Sequence, residues 1–79
     1  QLVIADRKVS RAHGRIERRN DGYFYVDSSS NGSQVWRAGR EETRVRHQEI
    51  ALTGSGRIFF GGPGSDPQTE FADFEQSGT

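Results

Sequence analysis

Two short polar blocks, Ser10-Arg11-Ala12-His13 and, some fourteen residues on, Asp27-Ser28-Ser29-Ser30-Asn31-Gly32-Ser33, carry the residues of this 79-residue chain best suited to chemistry. Each lies between apolar, alternating segments. Together they supply hydroxyls, a guanidinium, a carboxamide and exposed backbone N–H groups. A phosphorylated side chain carries about −1.5 to −2 charge and three acceptor oxygens, so its receptor needs several converging donors and no competing carboxylate. Ser10 and Arg11 offer a hydroxyl, a backbone N–H and a forked cation, and Ser30 adds a second hydroxyl from the other block. Charge-assisted bonds of this kind contribute about 1.5–3 kcal/mol each in favourable geometry. This is equipment for holding an anion rather than for breaking a bond.

Rival chemistries fit less well. Ser10, His13 and Asp27 are the residue types of a hydrolase, but the chain has no Gly-x-Ser-x-Gly turn and little room for a shielded pocket. His13 and His47 are the only histidines, cysteine is absent, and no carboxylates cluster at ligand spacing, so neither a metal nor a cofactor is expected. The lack of cysteine also excludes disulfide scaffolds and thiol catalysis. Gly54-Ser55-Gly56 lacks a following Lys-Ser or Lys-Thr and reads as a turn between strands, not a phosphate loop. Trp36 and the phenylalanines are assigned to packing rather than to ligand stacking.

The segments that must position the two blocks read as short strands. Leu2 to Ala5 is apolar; Gly14 to Arg18 turns Ile16 inward between charged neighbours; Asn20-Asp21-Gly22 signals a hairpin. Tyr23 to Val26 follows, and Gln34 to Trp36 resumes β structure after the second polar block. Thr43 to His47 alternates at period two, which predicts a strand near an edge with wet arginines. Arg57 to Phe60 is a buried-type strand broken by Gly61-Gly62-Pro63-Gly64. Phe71 and Phe74 are expected to close the core, leaving a domain over residues 1–74 and a frayed tail over 75–79. No segment keeps a helical period, so the class is all-β, with short antiparallel strands and Gly/Ser-rich loops that indicate a sandwich or barrel. Leu, Ile, Val and Phe make up about a fifth of the chain, near the lower edge for a folded domain. No apolar run approaches the roughly 20 residues of a membrane-spanning helix, and no membrane partner is expected.

The net charge is zero, yet it is unevenly laid out. Residues 1–19 hold Arg7, Lys8, Arg11, Arg15, Arg18 and Arg19 against Asp6 and Glu17, a net +4; residues 61–79 hold Asp66, Glu70, Asp73 and Glu75 with no basic residue, a net −4. The basic stretch suits an anionic partner, whether a phosphate, an acidic peptide or nucleic acid. The alternative is a solvated surface whose two ends neutralise each other on folding. Nonspecific nucleic-acid binding ranks third among the functional readings.

Val9-Ser10-Arg11-x-His13, Asp27-x-Ser29-x-Asn31-Gly32 and Ile58-x-x-Gly61 resemble the forkhead-associated (FHA) domain, and the resemblance runs from about Leu2 to Gly61. It implies an FHA-like β-sandwich that recognises phosphothreonine peptides within a larger signalling protein, with no catalysis of its own. In the family, residues at the Ser10, Arg11 and Ser30 positions contact the phosphate, and the residue at the Asn31 position bonds the peptide backbone beside it. His13, Ser29 and Gly32 take structural roles in the same motifs. The resemblance sets Lys8 where the family reads the third residue after the phosphothreonine, implying an acidic residue there. Serines stand at Ser30 and Ser33 where the family has threonines. The family pattern also begins two or three strands earlier, with a Gly-Arg whose arginine is a principal phosphate ligand, so the chain reads as N-terminally incomplete. Unpaired sheet edges and self-association are expected in consequence. The last third is similar to bacterial versions appended to signalling enzymes such as nucleotide cyclases, and the family implies a cytoplasmic setting. The alternative function is phosphate-independent assembly by the same fold.

Overall fold

The computed structural model describes residues 13–76 and the strand Leu2–Ile4. Eight strands follow in chain order: β1 (Leu2–Ile4), β2 (Gly14–Arg19), β3 (Gly22–Asp27), β4 (Ser33–Arg37), β5 (Thr43–Val45), β6 (Glu49–Ala51), β7 (Ser55–Phe60) and β8 (Glu70–Gln76). They form a five-stranded sheet ordered β1-β8-β7-β4-β5 and a three-stranded sheet ordered β2-β3-β6. Every pairing is antiparallel. The molecule is all-β, as its alternating segments require.

Period-two alternation decides what each strand buries. Register places Val35 opposite Ile58 and Ile58 opposite Ala72, a fully buried row across β4, β7 and β8. On the facing sheet Ile16, Tyr25 and Ile50 form a second row, and the two sets meet in one core with Val45, Leu52, Phe60 and Phe74. Full burial of an aliphatic or aromatic side chain stabilises by about 1.5–3 kcal/mol, so this small set carries most of the cohesion. The inward turn of Ile16 matches the sequence pattern.

The β2–β3 hairpin forms at Asn20-Asp21, where Arg19 pairs with Gly22. Its positive φ belongs to Gly22 (138°), while Asn20 and Asp21 keep negative values. Thr43-Arg44-Val45 is an edge strand, but it stops two residues before the predicted end. His47 has a φ of 52°, the one positive value at a non-glycine among the described residues, and turns the chain out of the sheet there.

Three expectations are corrected. Phe71 lies on the outer face, 39% exposed, because Ala72 and Phe74 take the inward positions of β8. Trp36 is 43% exposed, since inward Val35 sends its neighbour outward. Glu75 and Gln76 are strand rather than tail, held by pairing with Val3 and Leu2 on one side and, for Glu75, with Ser55 on the other. Among the described residues the charges pair mostly within the small sheet. Arg15 and Arg19 bind Glu17, and Arg19 also binds Glu49 across the small sheet. Only Arg57–Asp73 draws on the acidic C-terminal third among the described residues.

Candidate functional site

Strand register gathers the loops that matter at one end of the sandwich. Gly14 at the start of β2 lies opposite Asp27 at the end of β3. Ser33 at the start of β4 lies opposite both Val45 at the end of β5 and Phe60 at the end of β7. His13, the 28–32 loop, the 46–48 turn and the 61–69 loop therefore emerge together.

Asp27 organises the 28–32 loop from beneath. It is 2% exposed, and its carboxylate accepts four hydrogen bonds. Oδ1 receives the hydroxyls of Ser29 and Ser33, both at 2.8 Å. Oδ2 receives the backbone N–H of Ser29 at 3.2 Å and that of His47 at 3.0 Å. Burial alone pushes this carboxyl upward, but the bonds from His47, Ser33 and Ser29 outweigh it and hold the group below the usual carboxylate range. The His47 bond also offsets the strain of a left-handed non-glycine residue, a cost of about 1–3 kcal/mol. Ser33 Oγ lies 2.8 Å from the Tyr25 hydroxyl, which also reaches the His13 carbonyl at 3.3 Å. Burial pushes the Tyr25 phenol up to about 12.

Ser29 passes the constraint forward, because its Oγ accepts the N–H of Gly32 at 2.9 Å. Gly32 needs its missing side chain: φ is 83°, and a Cβ would sit 3.0 Å from the Val45 carbonyl oxygen. Between these two fixed points Ser30 and Asn31 are exposed at the loop's crest. The Arg44 Nη2 donates to the Asn31 backbone carbonyl at 3.1 Å, fixing the peptide unit next to the carboxamide that faces solvent.

His13 joins the two polar blocks. Its carbonyl accepts the Ser28 N–H at 2.9 Å as well as the Tyr25 hydroxyl, and its ring packs 5.6 Å from that of Phe60. Its Nδ1 is buried without a hydrogen-bond partner among the described residues. The hydrolase arrangement of His13 and Asp27 is not formed: the Asp27 oxygens are bonded to Ser29, Ser33 and the His47 N–H, and no hydrogen bond joins them to the His13 ring among the described residues. Among the described residues no group of three His, Asp or Glu side chains could hold a metal ion. Lys8, Ser10 and Arg11 lie outside the described residues.

Two clefts flank Asn31. One, of about 180 Å³, is lined by Asn31, Gly32, Ser33, Gln34 and Arg44 and closed by the Gly61-Gly62-Pro63 turn. The other shares that turn and Asn31 but is lined by His13, Asp66 and Glu70.

The expected site residues thus divide. Ser30 and Asn31 are presented, Ser29, Gly32 and His13 are structural, and three positions are undescribed. Asp27, Tyr25, Ser33, His47 and Arg44 escaped assignment to the site. Asp27 had a readable signal as the first residue of the polar block, whereas His47 and Arg44 reach it only through the β4–β5 pairing.

No curated protein and no solved structure compared with the chain gave a match. A family model described as the FHA domain matches residues 1–61, a span that takes in both polar blocks and the turn after β7. With that match over most of its length, and two antiparallel sheets holding the Asp27–Gly32 loop at one end, the chain belongs to the FHA domain family, whose members are non-catalytic phosphopeptide-recognition modules.

Proposed function

We propose that this chain is a phosphothreonine-peptide recognition module of a larger, cytoplasmic signalling protein. The observation that carries the reading is the outward presentation of Ser30 and Asn31 from a loop bonded to Asp27, beside the residue that ends the Ser-Arg-x-His block. In this reading Ser10, Arg11 and Ser30 bind the phosphate, Asn31 bonds the peptide backbone, and Lys8 meets an acidic ligand residue. A carboxamide contributes both donors and an acceptor, which suits a peptide main chain.

The test is an amide NMR titration with a degenerate phosphothreonine peptide library and its unphosphorylated twin. Phosphate-dependent shifts at Ser10, Arg11, Ser30 and Asn31, lost on Arg11→Ala or Asn31→Ala while the spectrum stays folded, are expected. A folded spectrum unmoved by either library would refute recognition and favour phosphate-independent assembly. One observation supports that second reading: the outer face of the large sheet exposes Trp36 and Phe71, with the Arg57 guanidinium 4.0 Å from the Phe71 ring centroid.

A further inference from the structure

The geometry points to Arg44 as a specificity-determining residue: resting on the phosphopeptide reading above, we propose that the cleft between Arg44 and Asn31 selects an aspartate or glutamate side chain at one fixed position of the bound peptide. Three observations converge. Arg44 is exposed and is the one charged residue lining this cleft among the described residues. No described carboxylate lies within ion-pair distance of it, whereas Arg15, Arg19 and Arg57 are all paired. Its guanidinium is already oriented, because Nη2 donates to the Asn31 carbonyl and Nε lies close along Gly32.

A guanidinium has five donors in a planar fork, so one bond to a carbonyl leaves an edge for a carboxylate. Because the anchor is the carbonyl of Asn31, the fork sits at a set distance from the carboxamide that holds the peptide main chain, which specifies a position in the ligand as well as a charge. Gln34, on the cleft wall, adds a neutral amide donor. The opposite flank reinforces the choice. Asp66 and Glu70 line the second cleft, so an acidic side chain is repelled there and steered toward Arg44.

The experiment is selection from an oriented phosphothreonine library, degenerate on both sides of the phosphate, by the wild-type chain, Arg44→Gln and Arg44→Glu, with the unphosphorylated library run in parallel. Wild type is expected to enrich Asp and Glu, on the order of tenfold, at one position distinct from the one read by Lys8. Arg44→Gln abolishes that enrichment while phosphate dependence remains, and Arg44→Glu enriches Lys and Arg at the same position. Acidic enrichment that survives both substitutions at every position where wild type shows it, or phosphate-dependent binding by wild type with no acidic preference beyond the position read by Lys8, overturns the assignment of Arg44 alone. Loss of phosphate dependence in wild type overturns the underlying reading and this inference with it. Amide spectra of both variants show whether the fold is kept, and the Ser30 and Asn31 resonances compared with wild type separate lost charge from lost loop support, since Arg44→Gln also removes the bond to the Asn31 carbonyl.

Discussion

The lower and upper halves of the Asp27–Ser33 segment are built from the same few residue types and do opposite things. Ser29 and Ser33 are buried on the Asp27 carboxylate, while Ser28, Ser30 and Asn31 face solvent. The buried half is a frame in which the Asp27, Ser29 and Ser33 side chains all have partners; the exposed half is a face whose side chains are left for something else. A hydroxyl has no role of its own here. Its role follows from whether the loop turns it down toward a buried carboxylate or up toward water, which is how three consecutive serines come to differ.

Removing the centre of the frame should have the largest effect. Asp27→Ala deletes an acceptor of four hydrogen bonds and leaves buried donors on Ser29 and Ser33 unsatisfied, which should cost about 3 kcal/mol or more. A domain of this size has only roughly 4–12 kcal/mol in total. Urea unfolding should show the midpoint fall sharply at an unchanged m-value; a loss under about 1 kcal/mol would mean the frame is not what holds the loop.

A sharper version compares neighbours. Ser29→Ala removes the link between Asp27 and the Gly32 N–H and should destabilise by about 1–2 kcal/mol. Ser30→Ala should leave stability within about 0.5 kcal/mol while weakening phosphopeptide binding. Equal unfolding costs for the two would erase the division between frame and face.

The frame is also tested through its pH dependence. The Asp27 carboxyl is held below its unfolded value, so its contribution is full above about pH 4 and is lost as pH falls through the lower, folded value. Tyr25 has the opposite sense: its phenol is raised to about 12, so its contribution is full below the unfolded value near pH 10 and is lost as pH rises toward 12. Stability profiles of the wild type and Tyr25→Phe should run parallel near neutral pH, offset by the lost hydrogen bonds, and differ in slope above about pH 10. A shared alkaline limb would remove Tyr25 from the network.

Much of this was legible in the residues. Alternation located the strands around Ile16 and Val45, apolar and aromatic runs those around Tyr25, Val35 and Ile58, and Asn20-Asp21-Gly22 marked its hairpin, because strand period and turn chemistry are local properties. The polar blocks were legible as binding equipment for the same reason. Trp36 and Phe71 were misplaced since large aromatics read as core, and only pairing shows which of two alternating sets faces the opposite sheet. Asp27 was weighed as a catalytic partner of His13, because sequence spacing does not say which donors a carboxylate will meet.

By itself, then, the chain's order of residues determined an all-β molecule, its turns, and a loop rich in hydroxyls with Asn31 and Gly32 at its end. The tertiary structure alone decided that Asp27 lies under that loop, that His47 accepts a left-handed backbone to reach it, and that Arg44 grips the Asn31 carbonyl. Those contacts join residues 13 to 20 positions apart. They depend on Ser33 pairing with Val45, a register fixed by which face of each strand must be buried rather than by anything near the residues concerned.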